Sequence, residues 1–162
     1  MRLFKFLIFF LALVVLAFSF FAKVSADESE PTLKVDHIAT TGQKIKEKLS
    51  LLFKFKKQAK ADYYLYLSEK RLAELVYAVE SNQLDLVEPT ASRYTTYVGI
   101  MTDFILARNV FSHKEKTVLT LARHEEILRI LQSKFEFESG WWIAITHGVN
   151  SAKLFREKLT SL

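Results

Sequence analysis

From Thr40 onward the apolar residues recur at the three- and four-residue spacing of an α-helix, and no two-residue alternation of useful length interrupts them. A chain with that period folds into helices or not at all. Four Gly and two Pro in 162 residues argue against a turn-rich β-sandwich and against disorder. Zero Cys excludes disulfides, thiolate zinc sites, a cysteine nucleophile and a lipoprotein cysteine.

The first 26 residues stand apart from this pattern. Arg2 and Lys5 form a basic start, and Phe6 to Ala22 is apolar except for Ser19. Val24-Ser25-Ala26 follows, with small or short residues where a signal peptidase reads, before Asp27-Glu28. Residues 1–26 are therefore expected to be a secretory signal peptide. The alternative is an uncleaved anchor, for which the apolar run is near the minimum length. Either way the basic start stays inside and the domain lies outside the cytoplasm. This segment carries three of the 23 Lys and Arg and none of the 18 Asp and Glu, so without it the net charge falls from +5 to +2. A basic balance that small gives no ground for a nucleic-acid partner. The 136 residues that follow suit one domain with its own core.

Residues 27–39, acidic and aperiodic, read as a linker, and residues 40–162 as a helical domain. Thr40 and Gln43 form a capping box for a first helix with Ile45, Leu49, Leu52 and Phe53 as its apolar positions. A second, long helix runs from about Lys57 to Ser81, with Leu65, Leu72, Leu75, Val76 and Val79 on one stripe and Asn82 as its stop. A third begins near Pro89 and carries Tyr94, Tyr97, Val98, Met101, Phe104 and Ile105 on one face, ending near Arg108-Asn109. Ser112 and Glu115 give a second capping box. The fourth helix behind it turns Val118, Leu121, Leu128, Leu131 and Phe135 inward until Gly140 breaks it. A fifth, from about Trp141 to Leu159, turns Ile145, Val149, Ala152, Phe155 and Leu159 to one side. Short connections between long helices predict an all-α antiparallel bundle of four to five helices in a single domain. Gly148 and Ala152 mark an expected close helix–helix contact.

The stretches Lys46-Glu47-Lys48-Leu49-Ser50-Leu51-Leu52-Phe53 and Lys60 to Leu75, with its Ser68-Glu69-Lys70-Arg71-Leu72-Ala73-Glu74 core, resemble an uncharacterised bacterial extracytoplasmic domain family. Its members place an amphipathic helix and a long charged helix behind a signal peptide or anchor, and His124-Glu125-Glu126-Ile127-Leu128 resembles a motif of a later helix. The last helix, around Ser151-Ala152-Lys153, is similar too. The chain departs from the family at His37-Ile38-Ala39-Thr40, which lacks the usual Pro-containing lead. The resemblance implies a helical fold and an envelope location. It implies no activity, because none is assigned to the family.

Chemistry-bearing constellations are sparse. His124 falls on the apolar stripe between Leu121 and Leu128. It reads either as a buried, hydrogen-bonded histidine or as a ligand or proton switch. Leu128 stands where a zinc-protease helix needs its second His, so no metal site is expected. No Gly-rich phosphate loop and no nucleophile motif appears, so neither a cofactor nor catalysis is expected. Asp103 is expected at the solvated flank of its helix. Tyr63, Tyr64, Tyr66 and Tyr77 read as a bundle edge or as a stacking surface, and Trp141-Trp142 as a core-and-rim pair or as an interfacial anchor. The least ordinary feature is basic. Lys44, Lys46, Lys48, Lys54, Lys56, Lys57 and Lys60 lie within 17 residues that contain Glu47 as their only acid, a net +6. They form either a solvated face or a site for an anionic surface such as phospholipid headgroups or wall polymer, with Lys44, Lys48, Lys54, Lys56, Lys57 and Lys60 as its candidate residues. The expected function is an extracytoplasmic, non-catalytic module that binds an envelope surface or partner protein. The alternative is a small-ligand or metal-responsive sensor using His124.

Overall fold

A computed structural model of the chain describes residues 33–161; the expected signal segment 1–26, and the linker as far as residue 32, lie outside them. Among the described residues the secondary structure is helical and no strand occurs. The helices are α1 (Thr41–Leu52), α2 (Lys57–Glu80), α3 (Val87–Ala107), α4 (Lys114–Gln132) and α5 (Gly140–Thr160). Single 3-10 turns, Leu84–Leu86 and Phe111–His113, lead into α3 and α4.

The punctuation explains the boundaries. Thr40 caps α1 with the expected box: its hydroxyl accepts from the Gln43 N–H at 3.3 Å, and Gln43 Oε1 accepts from the Thr40 N–H at 2.8 Å. Asn82 stops α2 with φ +57°, and the Gln83 N–H closes the end on the Ala78 carbonyl at 2.8 Å. Asn109 does the same for α3 with φ +53°, and the Val110 N–H reaches the Ile105 carbonyl at 2.9 Å.

The second expected box does not form. The chain enters α4 from a 3-10 turn, so the residue before the helix, His113, is already near helical geometry (φ −98°, ψ −7°). A capping hydroxyl needs an extended residue there. Ser112 bonds instead to His113 Nδ1 at 3.1 Å. Gly140 also plays another part. Helix α4 ends at Gln132, and Gly140 is the first residue of α5, behind Ser139, whose hydroxyl accepts from the Trp142 N–H at 3.2 Å. Phe135 thus lies in the loop, half-buried, with its ring 5.8 Å from that of Trp141.

Helices α2 to α5 alternate in direction, and α2 packs on α3, α3 on α5, and α4 on α5. The pair α3 and α5 runs parallel, in register from Tyr94 beside Gly148 to Asp103 beside Lys158. Small residues permit their approach. A Cβ on Gly148 would lie 3.4 Å from a Leu128 methyl and 3.6 Å from the Tyr94 ring, and one on Gly99 would lie 3.2 Å from the Phe155 ring. The core holds Leu65, Leu72, Leu75, Tyr94, Val98, Met101, Ile105, Leu121, Leu128, Ile145, Val149, Ala152 and Leu159, the stripes expected for α2 to α5. Asp103 is exposed, as expected, and pairs with Lys158 at 2.8 Å.

Candidate functional site

Helix α1 is joined to the middle of α2 by side-chain bonds, but with its faces reversed. Its apolar residues look outward: Ile45 is 54% exposed, Leu49 51% and Leu52 67%, followed by Phe53 at 73% and Phe55 at 87% in the break before α2. The expectation that these positions were the helix's packing face is corrected. The residue α1 buries is Glu47. Its Oε1 accepts from Lys70 at 2.5 Å and its Oε2 from the Arg71 guanidinium. Arg71 is fully buried on α2, donates to Glu74 at 2.6 Å, and lies 5.0 Å over the Tyr97 ring. Glu74 Oε1 also accepts from the N–H of Ala39 at 3.2 Å, which pins the buried end of the linker. Burial opposes the charge on Arg71, but the hydrogen bond and charge of Glu74, with Glu47 beside them, hold its pKa above the ordinary value.

Helix geometry explains the reversal. Glu47 can meet Arg71 only if its face turns to α2, and at about 100° per residue the stripe of Ile45, Leu49 and Leu52 then points the opposite way. Lys46 and Lys48 fall about 80° to either side of that stripe. Lys44 shares the Glu47 side. Burial first, and then the charge of Arg93, lower its pKa.

The remaining candidate lysines surround the α1–α2 break. Lys56 and Lys57 are exposed, and Lys54 and Lys60 are half-buried. Lys54 lies 4.7 Å over the Tyr63 ring, and Lys57 donates to the carbonyl of Arg108 at 3.3 Å, at the C-terminal end of α3 where a cation is favourable. Thus Lys46, Lys48, Lys54 and Lys56 border the exposed apolar stripe and its two phenylalanines, while Lys44 turns inward. Among the described residues no carboxylate lies within ion-pair distance of Lys46, Lys48, Lys54 or Lys56.

Neither tryptophan takes the core place expected for one member of a core-and-rim pair. Trp141 is exposed and Trp142 half-buried, on Phe135 and Phe137 respectively. They lie at the far end of the bundle, where Glu80 at the end of α2 comes within 3.9 Å of Lys134. The 24 residues of α2 span about 36 Å, so this aromatic edge and the lysine break do not share a surface.

His124 is buried at the junction of α3 and α4. Its Nδ1 shares a hydrogen bond of 3.2 Å with the Tyr94 hydroxyl, and its Nε2 has no hydrogen-bond partner. Burial, assisted by the charge of Arg123, lowers its pKa from 6.5 to about 3. Among the described residues no three His, Asp or Glu are placed to hold a metal ion. Sequence reasoning missed the buried Glu47–Arg71–Glu74 group. Its signal was present: Arg71 and Glu74 fall among Leu67, Leu75 and Ala78 on one buried side of α2, where a charged residue requires a partner.

Among the described residues no helix is long and apolar enough to cross a membrane. Compared with known proteins, the sequence matches no family model, no curated protein and no solved structure.

Proposed function

We propose that this chain is an extracytoplasmic helical module that docks on an anionic envelope membrane and carries no catalytic step. Residues 1–26 supply the export signal or a retained anchor, and α1 with the following break supplies the docking face. The observation that carries the reading is the reversal of α1. An amphipathic helix that keeps three aliphatic side chains in water, flanked on both sides by lysines, has the form of a helix lying in the headgroup region. Each lysine near an anionic leaflet contributes about 1 kcal/mol, and exposed charges in physiological salt act only within about 8 Å. Lysines alone give weak attraction. Burial of Ile45, Leu49, Leu52, Phe53 and Phe55 in the interface supplies the second, salt-insensitive component.

Co-sedimentation of the exported protein with anionic and zwitterionic vesicles, at low and physiological salt, tests this. Binding is expected to favour anionic vesicles. It is expected to weaken in the Lys54→Gln/Lys56→Gln/Lys57→Gln/Lys60→Gln variant, and to fall again when Leu49→Ser and Leu52→Ser are added. Equal binding of both vesicle types by protein whose intact mass begins at Asp27 would refute the docking face.

A further inference from the structure

Beside the apolar stripe, on its Lys46 flank, α1 and α2 part to leave a cleft of about 260 Å³ lined by Gln43, Lys46, Glu47, Ser50, Tyr63, Tyr66 and Lys70. Its polar groups are unbalanced. Both oxygens of Glu47, the one carboxylate of the lining, are occupied by Lys70 and Arg71. Gln43 is committed to the helix cap and to His37. Each group that remains can donate. The Lys46 ammonium, the Ser50 hydroxyl and the phenol hydroxyls of Tyr63 and Tyr66 have no hydrogen-bond partner among the described residues, and Lys70 gives Glu47 only one of its three N–H groups. The two tyrosine rings stack at 5.8 Å and 23°, and Lys54 adds a third cation over Tyr63. A concave site with cations, hydroxyl donors and no free carboxylate oxygen selects an anion with several acceptor oxygens.

From this geometry we infer that the cleft is a binding site for the phosphodiester headgroup of an anionic glycerophospholipid. The inference rests on the docking reading above and deepens it. A lipid whose acyl chains lie along Ile45, Leu49 and Leu52 brings its phosphate to the Lys46 side of α1. There the phosphate takes bonds from Lys46, Lys70 and the two phenols, and a glycerol headgroup meets Ser50. The cleft volume accommodates a headgroup and not an acyl chain, so it selects the head while the stripe holds the tails.

The test uses the exported protein and monomeric dihexanoyl phosphatidylglycerol below its micelle concentration, with dihexanoyl phosphatidylcholine and inorganic phosphate as comparisons. Amide chemical shifts are the readout. The expected result is saturable shifts confined to α1 and the Tyr63–Lys70 turns of α2, tighter for phosphatidylglycerol than for either comparison. The Lys46→Gln/Tyr63→Phe/Tyr66→Phe variant should bind about tenfold more weakly, the scale of one lost charge-assisted hydrogen bond, with an unchanged melting temperature. These three side chains are partly exposed and outside the core, so the variant folds. Lys153→Gln, exposed on α5, should leave the shifts in place. Equal binding of inorganic phosphate, shifts spread over all the lysines, or an unaffected triple variant would each overturn the site. The two readings separate cleanly. Vesicle binding without cleft shifts refutes the headgroup site alone, and cleft shifts without vesicle binding refute the docking face alone.

Discussion

Acid is expected to unfold this bundle through one buried side chain. His124 is enclosed by the core, and its pKa falls from 6.5 to about 3 because burial disfavours the imidazolium, with Arg123 adding repulsion. The unfolded chain takes up a proton at His124 near its ordinary pKa, whereas the folded chain does not until the pH is far lower. The unfolded state therefore holds more protons throughout that window, and stability falls as pH drops through it. Between about pH 7.5 and about pH 5 the loss from this residue is about 2 kcal/mol, a large share of a small domain's stability. The comparison protein is the Tyr94→Phe/His124→Leu double variant. Removing both partners of the 3.2 Å bond leaves no orphaned hydroxyl, so the double variant should match or exceed the parent at neutral pH. Burial also raises the pKa of Tyr94, with Glu125 adding to the effect, so the phenol does not titrate in this range. Urea unfolding followed by far-ultraviolet circular dichroism at both pH values measures the two losses. The two proteins differ in no titratable group other than His124 and the Tyr94 phenol, so the difference between the losses isolates His124. Equal losses would show that His124 is charged in the folded state or open to water, and the reasoning from burial would fail.

Two further outcomes follow from particular contacts. Gly148→Leu should destabilise by about 1–3 kcal/mol or more, because atoms beyond a Cβ already 3.4 Å from Leu128 on α4 and 3.6 Å from Tyr94 on α3 have no space, while Gly148→Ala should be neutral or stabilising through helix propensity; unchanged urea midpoints for the leucine variant would refute the close packing of α5 on α3 and α4 at Gly148. Glu47→Ala should free α1 and raise its amide exchange rates toward those of an open chain, at a global cost of about 1–2 kcal/mol because Arg71 keeps Glu74; continued protection of α1 would mean that something other than Glu47 holds it.

What could be read in advance was whatever depends on local spacing. The stripe from Leu65 to Val79 and the Asn82 stop define α2 whatever it packs against, and the Thr40–Gln43 box defines the start of α1. Ser112 and Gly140 misled because each has two local solutions. A 3-10 entry consumes the geometry a cap requires, and a glycine between helices begins one as readily as it ends another. The exposed face of α1 was half legible. Lysine crowding is visible in one dimension, but the side of α1 that faces water is decided by one long-range pair, Glu47 with Arg71, 24 positions away. An apolar stripe looks the same in sequence whether it is covered by protein or left for another phase.

The ionic fastening of α1 has a consequence for what is left when the helix departs. With α1 in place, Glu47, Lys70, Arg71 and Glu74 balance to zero charge. Without it, Arg71 and Glu74 still neutralise each other at 2.6 Å inside α2, and Lys70 alone becomes an uncompensated cation at the rim. The buried pair inside α2 thus stays neutral without its first neighbour, while the vacated side becomes one unit more positive. Opening moves charge without creating it: the vacated side gains a free Lys70, and α1 carries off a free Glu47 among Lys44, Lys46 and Lys48.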